Sequence, residues 1–509
     1  MKTVITASQT READKHTIET APIASIDLME NASRAFVGVF TQLYPDKKTD
    51  VLVCCGTGNN GGDGLAIARM LQERSYGAVA VWVARFGADE SDDFAANAAR
   101  LYKTPVPITE FFPGDEFPAI HQHVVIDALL GSGLNKPLQG DWLRMAKHIN
   151  QADKPVVAVD IPTGLRADGI LSPSEYSVRA HYVISFQRPK LSFFFPESAK
   201  AVGHFQAVDI GLDEAFIENL PSEFKLIEAS DVLQRYRHRE PFSHKGTYGH
   251  ALIIAGDTQT FGAALLACGA CLYSGAGLTS ACIPATGLNA LNTRLPEVMY
   301  CAQDELPAMW DRFDTIGIGP GLGQRLSLLE DCVTHTDKPL VVDADALTFL
   351  SQNKGLMDKL PKLSILTPHM KEFDRLFGSH SRWWDRVQTA REQARALQLI
   401  ILLKNQYTFI ALPDGTLLIN PTGNPAMASG GMGDVLTGML TGFLAQGYPP
   451  PDAAMLACYL HGAAGDRLAA EEKMSVIPAG RLIEAIPTTL GYLLDSHRLS
   501  RSKIVTNTL

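Results

Sequence analysis

The sequence predicts an α/β protein of two domains, each a run of strands alternating with helices. Three observations predict it. Short apolar runs alternate with segments whose apolar residues recur at helical spacing, the pattern of strand–helix–strand units. Several of these runs end in a glycine turn or an acid, where strands of parallel sheets meet ligands. The pattern fades once, over residues 215–226 around Pro221, and 509 residues are too many for one ordinary core. Domains are therefore expected over 1–218 and 226–500, with no internal repeat between them.

Composition bounds the function. Hydrophobic residues make up 46% and charged residues 20%, a globular balance. A net charge of −10 argues against general nucleic-acid binding. The opening MKTVITASQTREAD has no apolar run of signal-peptide type. No uninterrupted apolar run nears the roughly 18 residues of a membrane span. Eight cysteines in so long a chain make no disulfide framework. Cys54 and Cys55 sit in an apolar run, and Cys268 and Cys271 in Ala-rich helical sequence, so all four read as small core residues. This is the composition of a reduced, cytoplasmic enzyme.

In the first half, residues 9–43 read as helices. Val51–Cys55 is a buried strand running into Gly56-Thr-Gly-Asn-Asn-Gly-Gly-Asp-Gly64 and then a helix. This is the strand–turn–helix unit in which parallel sheets bind phosphates, although it is not GxGxxG. Further strands are expected at 79–84, 124–127, 156–160 and 182–186, with a last one at 203–210. Two of them end in acids, Asp127 before Gly131–Pro137 and Asp160 before Thr163-Gly164. Asn60, Asp127, Asp160 and Thr163 should therefore converge on one sheet edge. Such oxygen-rich groups suit a weakly held monovalent cation as well as a ligand hydroxyl. Phe193–Phe195 read as core or oligomer contact.

Asn59–Gly64, Asp127 with Gly131–Pro137, and Val159–Leu165 together resemble the NAD(P)H-hydrate epimerase domain. The resemblance implies a Rossmann-like, three-layer domain that interconverts the R and S epimers of the hydrated nicotinamide cofactor at C6. It places the hydrate on Asn59, Asn60, Gly61, Gly62 and Asp63, on Gly131, Ser132, Gly133, Leu134, Asn135, Lys136 and Pro137, and on Asp160. It places K⁺ on Asn60, Asp127 and Thr163, the last usually a serine in the family. Asp160 is the candidate acid/base, acting by ring opening or by loss of water.

The second half is organised around Asn424-Pro-Ala-Met-Ala-Ser-Gly-Gly-Met-Gly-Asp434. After Asp434, Val435, Leu436, Met439 and Leu440 recur at helical spacing, so the glycines form a turn and the acid sits in the first helical turn. A helix N-terminus with free N–H groups suits an anion, and missing Cβ atoms let the backbone approach it. A carboxylate beside a phosphate is suited to take a proton from an attacking hydroxyl. Upstream strands end in Gly319–Gly323, Asp343-Ala-Asp345, Thr367-Pro-His369 and Lys404–Thr408. An Ala-rich helix runs over 261–273, and an apolar helix over 453–470 carries His461.

Gly430–Asp434 resembles the anion hole and catalytic acid of the ribokinase-like superfamily. With Lys245–Gly249, Gly319–Gly323 and Thr367–His369 it resembles the ADP-dependent NAD(P)H-hydrate dehydratase. The resemblance assigns Ala263, Gly323, His369 and Asp434 to the hydrate. It assigns Lys404, Asn405, Gln406, Tyr407, Thr408 and Gly433 to ADP. Asp434 would activate the C6 hydroxyl to attack the nucleotide, with Mg²⁺ at the phosphates. The implied substrates are hydrated NADH or NADPH with ADP as co-substrate, and the implied assembly a homo-oligomer, with neither nucleic acid nor membrane as partner. Two alternatives stay open on the residues alone: a small-molecule kinase of the same superfamily, and a first domain that binds without catalysing.

Overall fold

The computed structural model describes residues 1–21, 23–87, 90–172 and 174–506, with side chains to residue 495. The chain divides into two compact units. Thr3–Ser222 forms one; Glu223 onward, together with Met1–Lys2, forms the other.

The first unit is built on seven parallel strands. Across the sheet they run Ile108–Phe111, Val79–Ala84, Val51–Cys55, Val124–Ala128, Val156–Val159, Ala180–Phe186, Val202–Val208. The chain starts in the middle, at Val51–Cys55, builds outward to Ile108–Phe111, then returns to the other side. The order therefore reverses between Val51–Cys55 and Val124–Ala128, where open α/β sheets bind ligands. Both central strands are wholly buried. One apolar core gathers side chains from helices Ser25–Leu43, Asn59–Glu73 and Asp92–Leu101. A second gathers Met145, Ala146 and Ile149 of helix Gly140–Gln151 with Phe193. Phe193–Phe195 are buried, so the core reading holds for them.

Two departures from expectation stand out. Ile108–Phe111 is an edge strand the sequence pattern hides, because it is four residues long with only Phe111 buried, and it follows Pro105 and Pro107. The strand expected to end at Asp127 runs one residue further, to Ala128.

The second unit has one large sheet. Beyond the strand Phe224–Leu226 the order is Leu417–Asn420, Thr408–Ala411, Ile400–Leu403, Ile365–Leu366, Leu340–Val342, Thr315–Ile318, His250–Ile254, Leu278–Cys282, Met299–Cys301. From Ile400–Leu403 to Met299–Cys301 every pairing is parallel. Thr408–Ala411 pairs antiparallel on both sides. Helix Met432–Ala445 is buried at every residue from Val435 on, and packs along helix Phe261–Tyr273. Gly438 sets that approach: a Cβ there would collide with the Ala267 carbonyl and lie 2.8 Å from Ala270 Cβ. A short helix, Ala229–Arg235, follows strand Phe224–Leu226, and the strand that leads to Thr367 is Ile365–Leu366.

All eight cysteines are free and buried. Among the described residues no helix is long and apolar enough to cross a membrane.

Candidate functional site

Each unit carries a cavity at the C-terminal ends of its parallel strands. In the first unit it measures about 470 Å³. Helix Asn59–Glu73 starts at its rim, capped by Gly58 in extended conformation. Asn59, Asn60, Asp63, Gly131, Ser132, Gly133, Leu134, Asn135 and Asp160 all line it. Four residues expected there do not. Gly61 and Gly62 face the protein: a Cβ on Gly61 would collide with the Gly56 carbonyl, and one on Gly62 would lie 2.9 Å from Met29 Sδ. Their lack of a side chain serves packing beneath the turn. Lys136 and Pro137 are exposed, since the loop leaves the edge after Asn135 and is anchored again by buried Leu138.

Asp160 follows strand Val156–Val159 in a left-handed conformation, φ 63°. Its Oδ1 accepts from the Phe186 N–H (2.9 Å) and sits 2.7 Å from Lys190 Nζ. Lys190 is itself buried and lines the same cavity. The sequence reading missed it, because a lysine after a strand carries no local signal. It also missed Asp14, which reaches the cavity from helix Ala7–Thr20. Burial and the charge of Asp160 raise the Asp14 carboxyl to about 6, against the pull of Lys190 and Arg11. Asp63 is pushed well above the carboxylate range, first by burial and then by Asp160, Asp14 and Asp93.

Asp127 and Thr163 lie behind Leu130, fully buried. Asp127 accepts from Thr163 N–H (2.8 Å), Thr163 Oγ1 (2.7 Å) and, weakly, Leu129 N–H (3.3 Å). All three donors are neutral, and burial raises this carboxyl to about 6 despite them. Asn60 packs on Gly131, and its Nδ2 is buried with no hydrogen-bond partner. A buried acid without a counter-charge beside a hydroxyl fits a monovalent cation held by oxygen, to which Asn60 could add only its Oδ1, since the unpartnered Nδ2 is a donor.

In the second unit, Gly431 (φ 91°) turns the chain into helix Met432–Ala445. The first N–H groups of that helix have no carbonyl four residues back within it. Asp434 stands in this turn, half-buried. Burial raises it to about 7, with Asp343 and Asp345 adding to the rise and Lys404 opposing it. Asp343, after strand Leu340–Val342, accepts from Lys404 Nζ (3.1 Å) and from Thr437 Oγ1 (2.8 Å). Asp345 accepts from the Gly323 N–H (2.9 Å). A Cβ built on Gly433 would lie 3.4 Å from Lys404 Nζ. One built on Gly321 would lie 3.0 Å from Ala263 Cβ. Ala263, Gly323, Lys404, Gly433 and Asp434 are thus linked neighbour to neighbour, through Gly321 and the acids Asp343 and Asp345.

His369 is half-exposed and caps helix Met370–Phe377, its Nδ1 accepting from Lys371 N–H (3.0 Å) and Glu372 N–H (3.3 Å). Its Nε2 stands 3.5 Å from Glu372 Oε1, so a ligand there would share it with that carboxylate.

A cavity of about 400 Å³ opens beside Gly433. Lys404, Asn405, Gln406, Thr408 and Gly433 line it, as do Asn420, Thr422, Asn424 and His461, which the sequence reading did not place there. Tyr407 does not line it; it lies nearer Gln406 and Asp466. His461 is half-buried and held neutral, its pKa lowered to about 4 mainly by desolvation, and its Nε2 meets the Met432 carbonyl at 3.0 Å. Asp466 fixes the preceding loop by accepting from Gly423 N–H (3.0 Å) and Asn424 Nδ2 (2.8 Å). Among the described residues no group of three or more His, Cys, Asp or Glu side chains is set to hold a metal ion.

Comparison with known proteins agrees with this two-site layout. Residues 25–192 match the family described as YjeF-related protein N-terminus. Residues 251–488 match the family described as NAD(P)H-hydrate dehydratase. The chain is 33% identical to a bifunctional NAD(P)H-hydrate repair enzyme Nnr of Moorella thermoacetica, over 96% of each chain. It is also 33% identical to that of Escherichia coli, over 92% of this chain and 90% of the relative. Among solved structures, it is similar to the ADP/ATP-dependent NAD(P)H-hydrate dehydratase of Bacillus subtilis co-crystallised with ATP and Mg²⁺. That match has 35% identity and a TM-score of 0.48, and covers 52% of this chain and 97% of the other. Whole-length identity to these relatives sets aside both the lone-kinase and the binding-module alternatives: the chain belongs to the bifunctional NAD(P)H-hydrate repair enzymes.

Proposed function

We propose that the first unit equilibrates the R and S epimers of hydrated NADH or NADPH, and that the second dehydrates the S epimer at the expense of ADP. The observation that carries the dehydratase half is Asp434. It is a carboxylate raised to about 7 in the first turn of a buried helix, beside open N–H groups and the Lys404 ammonium.

Asp434 takes the proton of the C6 hydroxyl, and the oxygen attacks the terminal phosphorus of ADP. The bond to AMP breaks, and the Gly430–Gly433 turn with Lys404 stabilises the charge on the transferring group. Phosphate then leaves C6, C5 gives up a proton, and the dihydropyridine ring is restored. Asp343 holds Lys404, and Asp345 holds the Gly319–Gly323 loop by its Gly323 N–H, so both act by positioning. Ala263, Gly323 and His369 Nε2 border the hydrate, while Lys404, Asn405, Gln406, Thr408 and Gly433 border the nucleotide. Three acids against one ammonium suit a divalent ion brought in with the nucleotide, since the described residues include no cluster set to cage one by themselves. Mg²⁺, when bound, neutralises charge on the phosphates.

In the first unit the cavity residues hold the hydrate, with Asp160 as base. K⁺ on Asn60, Asp127 and Thr163 supplies the missing counter-charge beneath the site.

The test mixes purified protein with racemic NADH hydrate, Mg²⁺ and ADP or ATP, and follows dihydronicotinamide absorbance. ADP-dependent recovery beyond the S half supports both activities. Arrest at the S half, with slow spontaneous epimerisation, removes the epimerase. No recovery removes the dehydratase.

A further inference from the structure

The epimerase cavity holds one more carboxyl than the reading above uses. Asp14 projects from helix Ala7–Thr20, on a segment far in sequence from the glycine turn, and lines the same wall as Asp160 and Lys190. It also lines an adjoining cavity of about 430 Å³, which shares Arg11, Asn59, Asp63, Phe186 and Ile210 with the first. Asp14 therefore stands at the junction of two lobes, where a ligand spanning both must pass it.

We propose that Asp14 is a second catalytic residue of the epimerase, the acid partner of Asp160, and that epimerisation runs by ring opening. The proposal rests on the epimerase reading of the first unit. Asp160, ion-paired with Lys190, removes the C6 hydroxyl proton. The O–H electrons form C6=O, the C6–N1 bond breaks, and its electron pair goes to N1, which takes the proton of Asp14. The product is an aldehyde joined to an enamine conjugated with the ring carboxamide. Rotation about C5–C6 presents the other face. The same two carboxyls then run the step backward: Asp14 recovers the N1 proton, and Asp160 returns its proton to the oxygen.

The environments of the two acids support the division of labour. Asp160 has an ammonium at 2.7 Å. Asp14 has none that close; burial and Asp160 raise it to about 6, so it exchanges a proton near neutrality in either direction. Asp63 is the rival acid: it lines both lobes as Asp14 does, and burial pushes its carboxyl up, so the Asp14 variants decide between them. The charged groups facing Asp14 are Arg11, Lys15 and Glu19 on its own helix, Asp63, Asp160 and Lys190 across the cavity, and Asp93 across the adjoining lobe.

The experiment uses the full chain and the separated R hydrate, with conversion to S followed by chromatography in buffers of varied pH, some made with ¹⁸O water. For wild type the expected result is a rate that falls as pH rises through about 6, as Asp14 loses its proton, and no ¹⁸O uptake in step with turnover. Asp14→Asn should lose about 10²-fold or more in kcat, with KM little changed and that descending limb gone. Asp14→Glu should recover part of the rate and the limb. ADP-dependent dehydration of pure S hydrate and the thermal melt report folding. If Asp14→Asn fails to fold, the limb in Asp14→Glu decides. An Asp14→Asn enzyme with the wild-type rate and pH profile overturns the proposal, as does ¹⁸O uptake at the rate of epimerisation, which means loss of water instead. A wild type that does not epimerise at all defeats the underlying reading, a different outcome from either.

Discussion

The carboxyl of Asp434 is held near 7 by burial and by two other acids, and with Asp434 as the proposed base this should set the pH response of the dehydratase. A base must be deprotonated to act, so dehydration kcat/KM should climb as pH rises through about 7 and then level. Asp343→Asn removes the larger of the two repulsive charges. It should move that limb to lower pH while weakening nucleotide binding, because Lys404 and Thr437 lose their shared acceptor. A limb that stays in place would show that Asp343 does not set the basicity of Asp434. Asp434→Asn should cost at least about 10²-fold in dehydration and leave the R-to-S conversion intact. The backbone of Asp160 guides the choice of variant in the other site. Its left-handed conformation suits asparagine better than alanine, so Asp160→Asn tests the chemistry with little added strain.

The sequence discloses elements wherever a stretch must do without side chains or must stay apolar. Asn59–Gly64 and Gly430–Asp434 are legible for that reason, as are the wholly buried strands Val51–Cys55 and Ile400–Leu403. Its limits show at residues that owe their place to the fold alone. Asp14 and Lys190 come from elements distant in sequence and are each a single polar residue in ordinary surroundings, while Asp343 and His461 were legible as a strand-end acid and a helix histidine but not as partners of Lys404 and the Met432 carbonyl. The short edge strands Ile108–Phe111 and Met299–Cys301 have too few residues to print a period. Gly61 and Gly62 were legible as glycines but not as packing glycines, because only the fold shows what their missing Cβ atoms would strike. Two predictions belong to elements. Gly438→Ala forces apart helices Met432–Ala445 and Phe261–Tyr273, and should destabilise the second unit by about 1–3 kcal/mol or more. Thermal unfolding would read this, with dehydration impaired and epimerisation kept. Asp127 is raised from 3.8 to about 6 on folding, so its contribution to stability is present below its unfolded value and is lost as pH rises past about 6. In potassium-free buffer the first unit should melt lower at about pH 8 than at about pH 5. Potassium should raise the melt at the higher pH by roughly 2–4 °C in wild type and by nothing in Asp127→Asn. An equal response in both would remove Asp127 from the cation site.

At the scale of the molecule, each compact unit carries its own cores and its own strand-end cavity. Hydration of the cofactor yields both epimers, and a dehydratase that accepts one leaves the rest stranded unless it is converted. The Asp160→Asn enzyme should therefore restore the S half of a racemic hydrate at the wild-type rate and then slow to spontaneous epimerisation. Continued fast recovery would show that the first site is not needed. Helix Met432–Ala445 has a further consequence. Its first turn carries Asp434, and everything after it is sunk in the core. Amide protons from Val435 onward should be among the last in that unit to exchange with heavy water, so its slow-opening core begins one residue beyond Asp434. Warming should then leave the dehydratase fully active up to the onset of unfolding, with no separate loss at lower temperature.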